Sequence, residues 1–369
     1  MNAKQVILSL GMLVFLVLAG LQFFRSAAAK PEMNSTVTSA THDPQIPRLV
    51  ASPPPFDTGT NELATSNAYS RLYQGADRLK LTAEQAEAYL LANHRDAASL
   101  LAAARASGDK KYLREAMEKF PNDPRVAFDA YFLSGPYDSA RPASDERRKW
   151  LDSFKQSDPD NALPNYLAAR DDFKSGKADL ALQELQAATG KSTFQDYSID
   201  AVQNAEEAYR SAGYSEAEAK SIAAWDLLLP QLSDSKQLSQ NLIDLANQYR
   251  QSGDAASAQA VLEMGISLGD RFNGPGQFPL INTLVGIAIE RNVLAAMDPN
   301  SPYLDTGLTV QQQLDALNQR RASLKTISGQ AEALLPIMSD ADLVSFYDRL
   351  RMFGTPAAVQ WAAGKYKTP

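Results

Sequence analysis

The sequence predicts an all-α chain, a right-handed helical-hairpin solenoid preceded by an N-terminal transmembrane or signal segment. Three observations predict it. From about Ala64 onward apolar residues recur at steps of three and four, Ala is abundant, and runs of β-branched residues are scarce. Gly-containing turns divide the helical segments into pairs, and Gly108 and Gly176 stand 68 residues apart, twice the 34-residue period of helix-turn-helix arrays. Ahead of them lies one long uncharged apolar run.

That run is VILSLGMLVFLVLAGLQFF, which begins at Val6 and closes at Phe24, between Lys4 and Arg25. As a helix it would reach roughly 28 Å, close to the hydrocarbon thickness of a bilayer, whereas a cleaved signal has a shorter apolar core. Length favours a retained single-pass anchor over residues 1–30. Ala27, Ala28 and Ala29 offer the small residues a signal peptidase needs, so cleavage near Ala29 stays open. Positive charge is nearly balanced across the run and orients it weakly. Either reading places the rest of the chain outside the cytoplasm, at the cell membrane or free in the envelope. Residues 31–62, rich in Pro, Ser and Thr and poor in periodic apolar residues, read as a disordered tether.

Composition excludes several functions. The 369 residues are 44% hydrophobic and 21% charged, ordinary for a globular chain, and 36 Lys plus Arg against 43 Asp plus Glu leave a net charge of −7. No basic block is dense enough for nucleic acid. There is no cysteine, which removes disulfides, thiol nucleophiles, zinc-thiolate sites and a lipidated N-terminal Cys. The only histidines, His42 and His94, have no second imidazole near them in sequence and are expected to face solvent. No metal and no cofactor is expected.

The turns lie at Gly108, Gly176, Gly213 and Gly253. Around Gly176, small residues stand seven before (Ala169) and five and twelve after (Ala181, Ala188), with Asp158-Pro159 ahead; Ala246, Ala258 and Gly265 repeat the offsets around Gly253. Where two helices cross closely, only Gly or Ala lets the backbones approach. In these positions the chain resembles the tetratricopeptide repeat family, and the resemblance implies a TPR-like superhelix over residues 63–276. Around Gly108 the matching positions hold Leu101, Leu113 and Phe120, which predicts looser or shifted packing there. GDRFNGPGQFPL and MDPNSPYLDTGL break the period, so residues 277–369 are expected to form a divergent C-terminal cap, its last hairpin turning at Gly354 and Pro356.

The tetrapeptide GKST, starting at Gly190, ends a P-loop in nucleotide-binding proteins, but the earlier loop glycine is replaced by Leu185. Ala178, Ala181, Leu182, Leu185 and Ala188 form a helical stripe in front of it. It reads as a helix stop, and no nucleotide is expected. No histidine is suited to a Ser-His-Asp triad. Asp171-Asp172 and Glu206-Glu207 are adjacent carboxylates, but neighbours on a helix point about 100° apart and are expected on solvated faces. DERRKW, from Asp145 to Trp150, reads as a charged first helical turn.

Resemblance to the family implies that the residues about six and three before each turn glycine face a concave groove. That selects Arg170 and Phe173, Glu207 and Arg210, Asn247 and Arg250 for a protein or peptide partner. Three arginines could receive a carboxylate or acidic segment. The expectation is an exported or membrane-tethered scaffold for protein–protein interaction at the cell envelope, without catalysis. In layout it is similar to envelope proteins with one N-terminal anchor and a tetratricopeptide array. Two alternatives stay open: a superhelical enzyme acting on cell-wall polymers, and a structural spacer with an empty groove.

Overall fold

The computed structural model describes residues 66–74, 79–133, 144–274 and 278–366. The apolar run 6–24, the stretch 31–62, His42 and most of the connection starting at Ser134 lie outside the described residues. Residues 1–66 and 67–369 are two separate units. Among the described residues no helix is long and apolar enough to cross a membrane.

Among its described residues the second unit is all-α apart from one short ribbon. It opens with α1 (Ala68–Gln74), α2 (Ala83–Ala92) and α3 (Ala97–Ser107). Next come α4 (Lys110–Lys119), α5 (Pro124–Leu133), α6 (Asp145–Ser157), α7 (Leu163–Lys174) and α8 (Ala178–Thr189). After them follow α9 (Ser198–Ser211), α10 (Glu216–Trp225), α11 (Pro230–Gln251), α12 (Ala255–Asn273) and α13 (Leu280–Leu294). The stretch expected to interrupt the period holds the ribbon β1 (Pro302–Tyr303) antiparallel to β2 (Leu308–Thr309). The chain ends with α14 (Val310–Leu334) and α15 (Asp340–Lys365), the latter broken at Gly354.

Local chemistry sets the helix ends. Thr82, Asp96, Ser144, Ser215, Asp254, Thr309 and Ser339 each accept a backbone N–H of the first turn through the side chain. Gly176 and Gly253 turn their hairpins with φ of 71° and 84°, a left-handed backbone that a Cβ penalises, and Gly108 and Gly213 share the sign. The GKST stretch ends a helix as expected, although Gly190 itself is right-handed, with φ −78°.

The hairpins α3–α4, α5–α6 and α7–α8 pack as antiparallel pairs. Ala169, Ala181 and Ala188 have no more than traces of exposed surface, so small side chains do lie where α7 and α8 approach. Leu101 and Leu113 are buried beside Tyr112 where α3 and α4 meet. In a solenoid stacked in sequence order, α9–α10 would come next. Instead α7 packs directly on α11 and α8 touches α12, while α9 packs on α3 and α2, and α10 on α1 and α15. The fourth hairpin thus leaves the stack and joins its two ends. Its apolar residues select that place: Ala208, Tyr209, Ala219 and Ile222 bury together with Leu81, Tyr89, Ala102 and Ala106.

The largest core cluster lies between α7, α8, α11, α12 and α13, with Leu238, Leu242 and Leu262 fully buried. Each such side chain contributes about 1.5–3 kcal/mol of burial. Gly269 and Gly286 face each other where α12 crosses α13: a Cβ on Gly286 would come 2.7 Å from the Gly269 carbonyl oxygen. A Cβ on Gly265 would come 2.8 Å from Val293, so this small residue serves the α12–α13 contact. On α14, Val310, Leu317, Leu324 and Ala331 are buried at steps of seven, a narrow stripe. At α1, Asn67 Nδ2 donates to the carbonyls of Leu335 and Met338, both at 2.7 Å.

Candidate partner-binding surface

The six residues expected to line a groove fall into different surroundings. Arg170 has no exposed surface, which corrects its assignment to a groove wall. The cause is the stacking order. With α11 laid directly on it, α7 is buried on every face from Leu163 to Asp172.

A buried ionic network takes up that charge. Arg170 Nη1 lies 2.6 Å from Asp171 Oδ1 and Nη2 lies 3.2 Å from Asp234 Oδ1 of α11. Tyr131 Oη of α5 donates to Asp171 Oδ2 at 3.1 Å, and the Arg147 guanidinium stacks over the Tyr131 ring at 4.4 Å. Arg148 reaches Asp172 at 3.3 Å and Ser175 Oγ at 3.0 Å. Burial opposes the Arg170 charge, but Asp234 and Asp171 outweigh it and hold its pKa above the usual guanidinium value. Burial pushes the Tyr131 phenol well above its ordinary value. Asp171 and Asp172, expected on a solvated face, are therefore buried; so is Arg147 of the DERRKW stretch, whose first-turn acids Asp145 and Glu146 stay exposed.

Phe173 is half-buried and packs against the main core cluster. The remaining candidates do face solvent. Glu207 and Arg210 are exposed on α9, and Asn247 and Arg250 on α11. The Tyr89 phenol is raised by burial and then by the Glu207 charge, which places that carboxylate beside α2. Arg250 donates to Asn247 Oδ1 at 3.2 Å and to the Ala296 carbonyl at 2.6 Å, just past the end of α13. Glu206, the other half of its acidic pair, is buried instead of solvated, and lies 2.8 Å from Lys220 Nζ. His94 is exposed, as expected.

Among the described residues no group of three His, Cys, Asp or Glu side chains could hold a metal ion. Asp270, near Glu290, has a raised pKa. Asp270 keeps an exposed edge, yet it is pushed up to about 6 by desolvation where α12 crosses α13, then by the Glu290 charge, with Arg320 of α14 opposing. Glu290 is buried and accepts from Tyr303 Oη at 2.9 Å, Gln313 Nε2 at 2.6 Å and Asn273 Nδ2 at 3.4 Å. Its oxygens are spent on joining α12, α13, the ribbon and α14.

A carboxyl raised in the folded state binds its proton more tightly there than in the unfolded chain, where its pKa is about 3.9. Its stabilising effect is present below about pH 4 and is lost as pH rises through about 6. Asp270→Asn should match wild type in urea unfolding at low pH and become the more stable of the two by neutral pH. A difference that does not change with pH would contradict this placement of Asp270.

Sequence reasoning missed Lys220, Asp234 and Asp196. Lys220 lies in EAEAKSIAA, a lone cation among small apolar residues, and that isolation was the available signal. Asp196 accepts from Gln231 Nε2 at 2.8 Å, Asn282 Nδ2 at 3.2 Å and the Ser198 backbone at 3.0 Å. One carboxylate thus sits at the N-termini of α9, α11 and α13, where helix dipoles favour an anion. Compared with known proteins, the chain matches no family model, no curated protein and no solved structure.

Proposed function

We propose that residues 67–369 are a protein-binding scaffold without catalysis: a tetratricopeptide-like array of helical hairpins, one of them folded out of sequence order. Residues 6–24 hold it to the outer side of a membrane at the cell envelope. The observation that supports the reading most is the hairpin stack α3–α4, α5–α6, α7–α8 and α11–α12, with Glu207, Arg210, Asn247 and Arg250 exposed on α9 and α11. Stacked hairpins create extended helix-lined surfaces suited to peptides and partner helices. With Arg170 buried, two arginines remain to receive an acidic partner segment.

Arg210→Glu combined with Arg250→Glu should lower capture of the partner from crosslinked membranes by about tenfold or more, since each guanidinium would otherwise make charge-assisted bonds. Both side chains are exposed, so far-UV circular dichroism should not change. Unchanged capture would remove these arginines from the binding surface.

A further inference from the structure

The hairpin that leaves the stack covers something. On α3, Leu100, Leu101 and Ala103 cluster with residues of α2 and α4, whereas Ala102 and Ala106 lie in a second cluster under Ala208 and Tyr209 of α9 and Ala212 just past its end. Removal of α9 would bare an apolar strip built of alanines and bordered by Leu81 and Tyr89. Small side chains on both sides let two helix backbones come close, so this strip fits another helix and little else. We infer that α9–α10 is a built-in occupant of a helix-accepting face on α2–α3, and that a partner helix with a similar stripe of Ala and Tyr takes the same place when the hairpin swings out.

The surrounding contacts are arranged for such an exchange. The rest of the stack closes without the hairpin, because α7 already packs on α11 and α8 on α12. Its outer side is held by apolar contacts, Ala217 in the cluster with Leu343 and Phe346 and Ala223 in the cluster with Phe278, and by charge. Lys220 Nζ lies 2.8 Å from Glu206 and 2.7 Å from Asp348 of α15, and Arg351 reaches the same two carboxylates at 3.2 and 3.0 Å. Arg71 of α1 adds a contact to Glu218 at 3.3 Å. The Lys220 side chain is only 5% exposed, so this cluster fixes one geometry more than it adds net stability. The stem is separately anchored. Asp196 ties the chain just before α9 to Gln231 and Asn282, and Tyr197, with a left-handed φ of 53°, follows it. A hairpin with a pinned stem, an alanine-lined inner face and a charged clasp opens as one arm.

The inference rests on the protein-binding reading only in naming a partner helix as competitor; its tests need no cellular partner. In hydrogen exchange of the full-length chain, Lys220→Met should accelerate the amides of α9 and α10, and those of α3 around Ala102 and Ala106, by about 100-fold. Amides of α7, α8, α11 and α12 should keep their wild-type rates. A uniform acceleration across the unit, or none, would overturn the separate opening. A fluorescent peptide of residues 198–211 should then bind Lys220→Met at least tenfold more tightly than wild type, and a scrambled peptide should bind neither. Selective acceleration without peptide binding would overturn the accepting face. Failure of the arginine variants to affect capture, with both results here positive, would sink the proposed binding surface and leave this exchange standing.

Discussion

Arg170→Ala is expected to destabilise the folded unit by about 3–5 kcal/mol, the range for removing one partner from a buried ion pair. Asp171 and Asp234 would keep their burial and lose the cation between them. A buried carboxylate that has lost its cation is costly, since burial disfavours the charged form. The loss should appear in urea unfolding as a lower midpoint at unchanged slope. Arg170→Met with Asp234→Leu should recover only part of it, because that apolar pair needs no charge partner while Asp171 stays buried without its cation. A loss below about 1 kcal/mol for Arg170→Ala, typical of an exposed side chain, would mean that α11 does not cover α7.

Gly286→Val is the second large effect, with an expected loss of about 3 kcal/mol, at the upper end for overpacking. Its Cβ would come 2.7 Å from both the Gly269 carbonyl oxygen and Phe272 Cβ, and 3.0 Å from Asn273 Oδ1. Two of the three are backbone or backbone-proximal atoms, so α12 and α13 must move apart. Gly329, in the interior of α14, is the control, because nothing lies within 4 Å of its Cβ position. Gly329→Ala should stabilise by about 0.5–1 kcal/mol through helix propensity alone. Equal effects at the two glycines, read from thermal midpoints, would contradict the close crossing.

Much of the local structure was legible before any coordinates. The turn glycines and the small residues Ala169, Ala181, Ala188, Ala246 and Ala258 act between nearby positions, where spacing carries the information. Packing order was not legible. The rule that put Arg170 on a groove wall counts back from Gly176 and assumes that the next hairpin in sequence is the next in space. Since α9–α10 steps aside for α11, the same side chain meets Asp234, more than sixty residues away in the chain. The misreading of Asp171, Asp172 and Glu206 as solvated has the same origin: a charged residue is buried only where a distant partner arrives. Arg210 and Arg250, near the C-terminal ends of α9 and α11, stay exposed.

If residues 67–369 are a scaffold as proposed, the exposed side chains of α9 and α11 meet a protein partner. Site-specific photocrosslinking in intact membranes tests it most directly, with the reactive residue placed at Glu207, at Asn247 and, as a distant exposed control, at Gly329. One product should be shared by the first two positions, missing from the control and lost when Arg210 and Arg250 are both changed to Glu. No product at Glu207 or Asn247 above that of the control would contradict it.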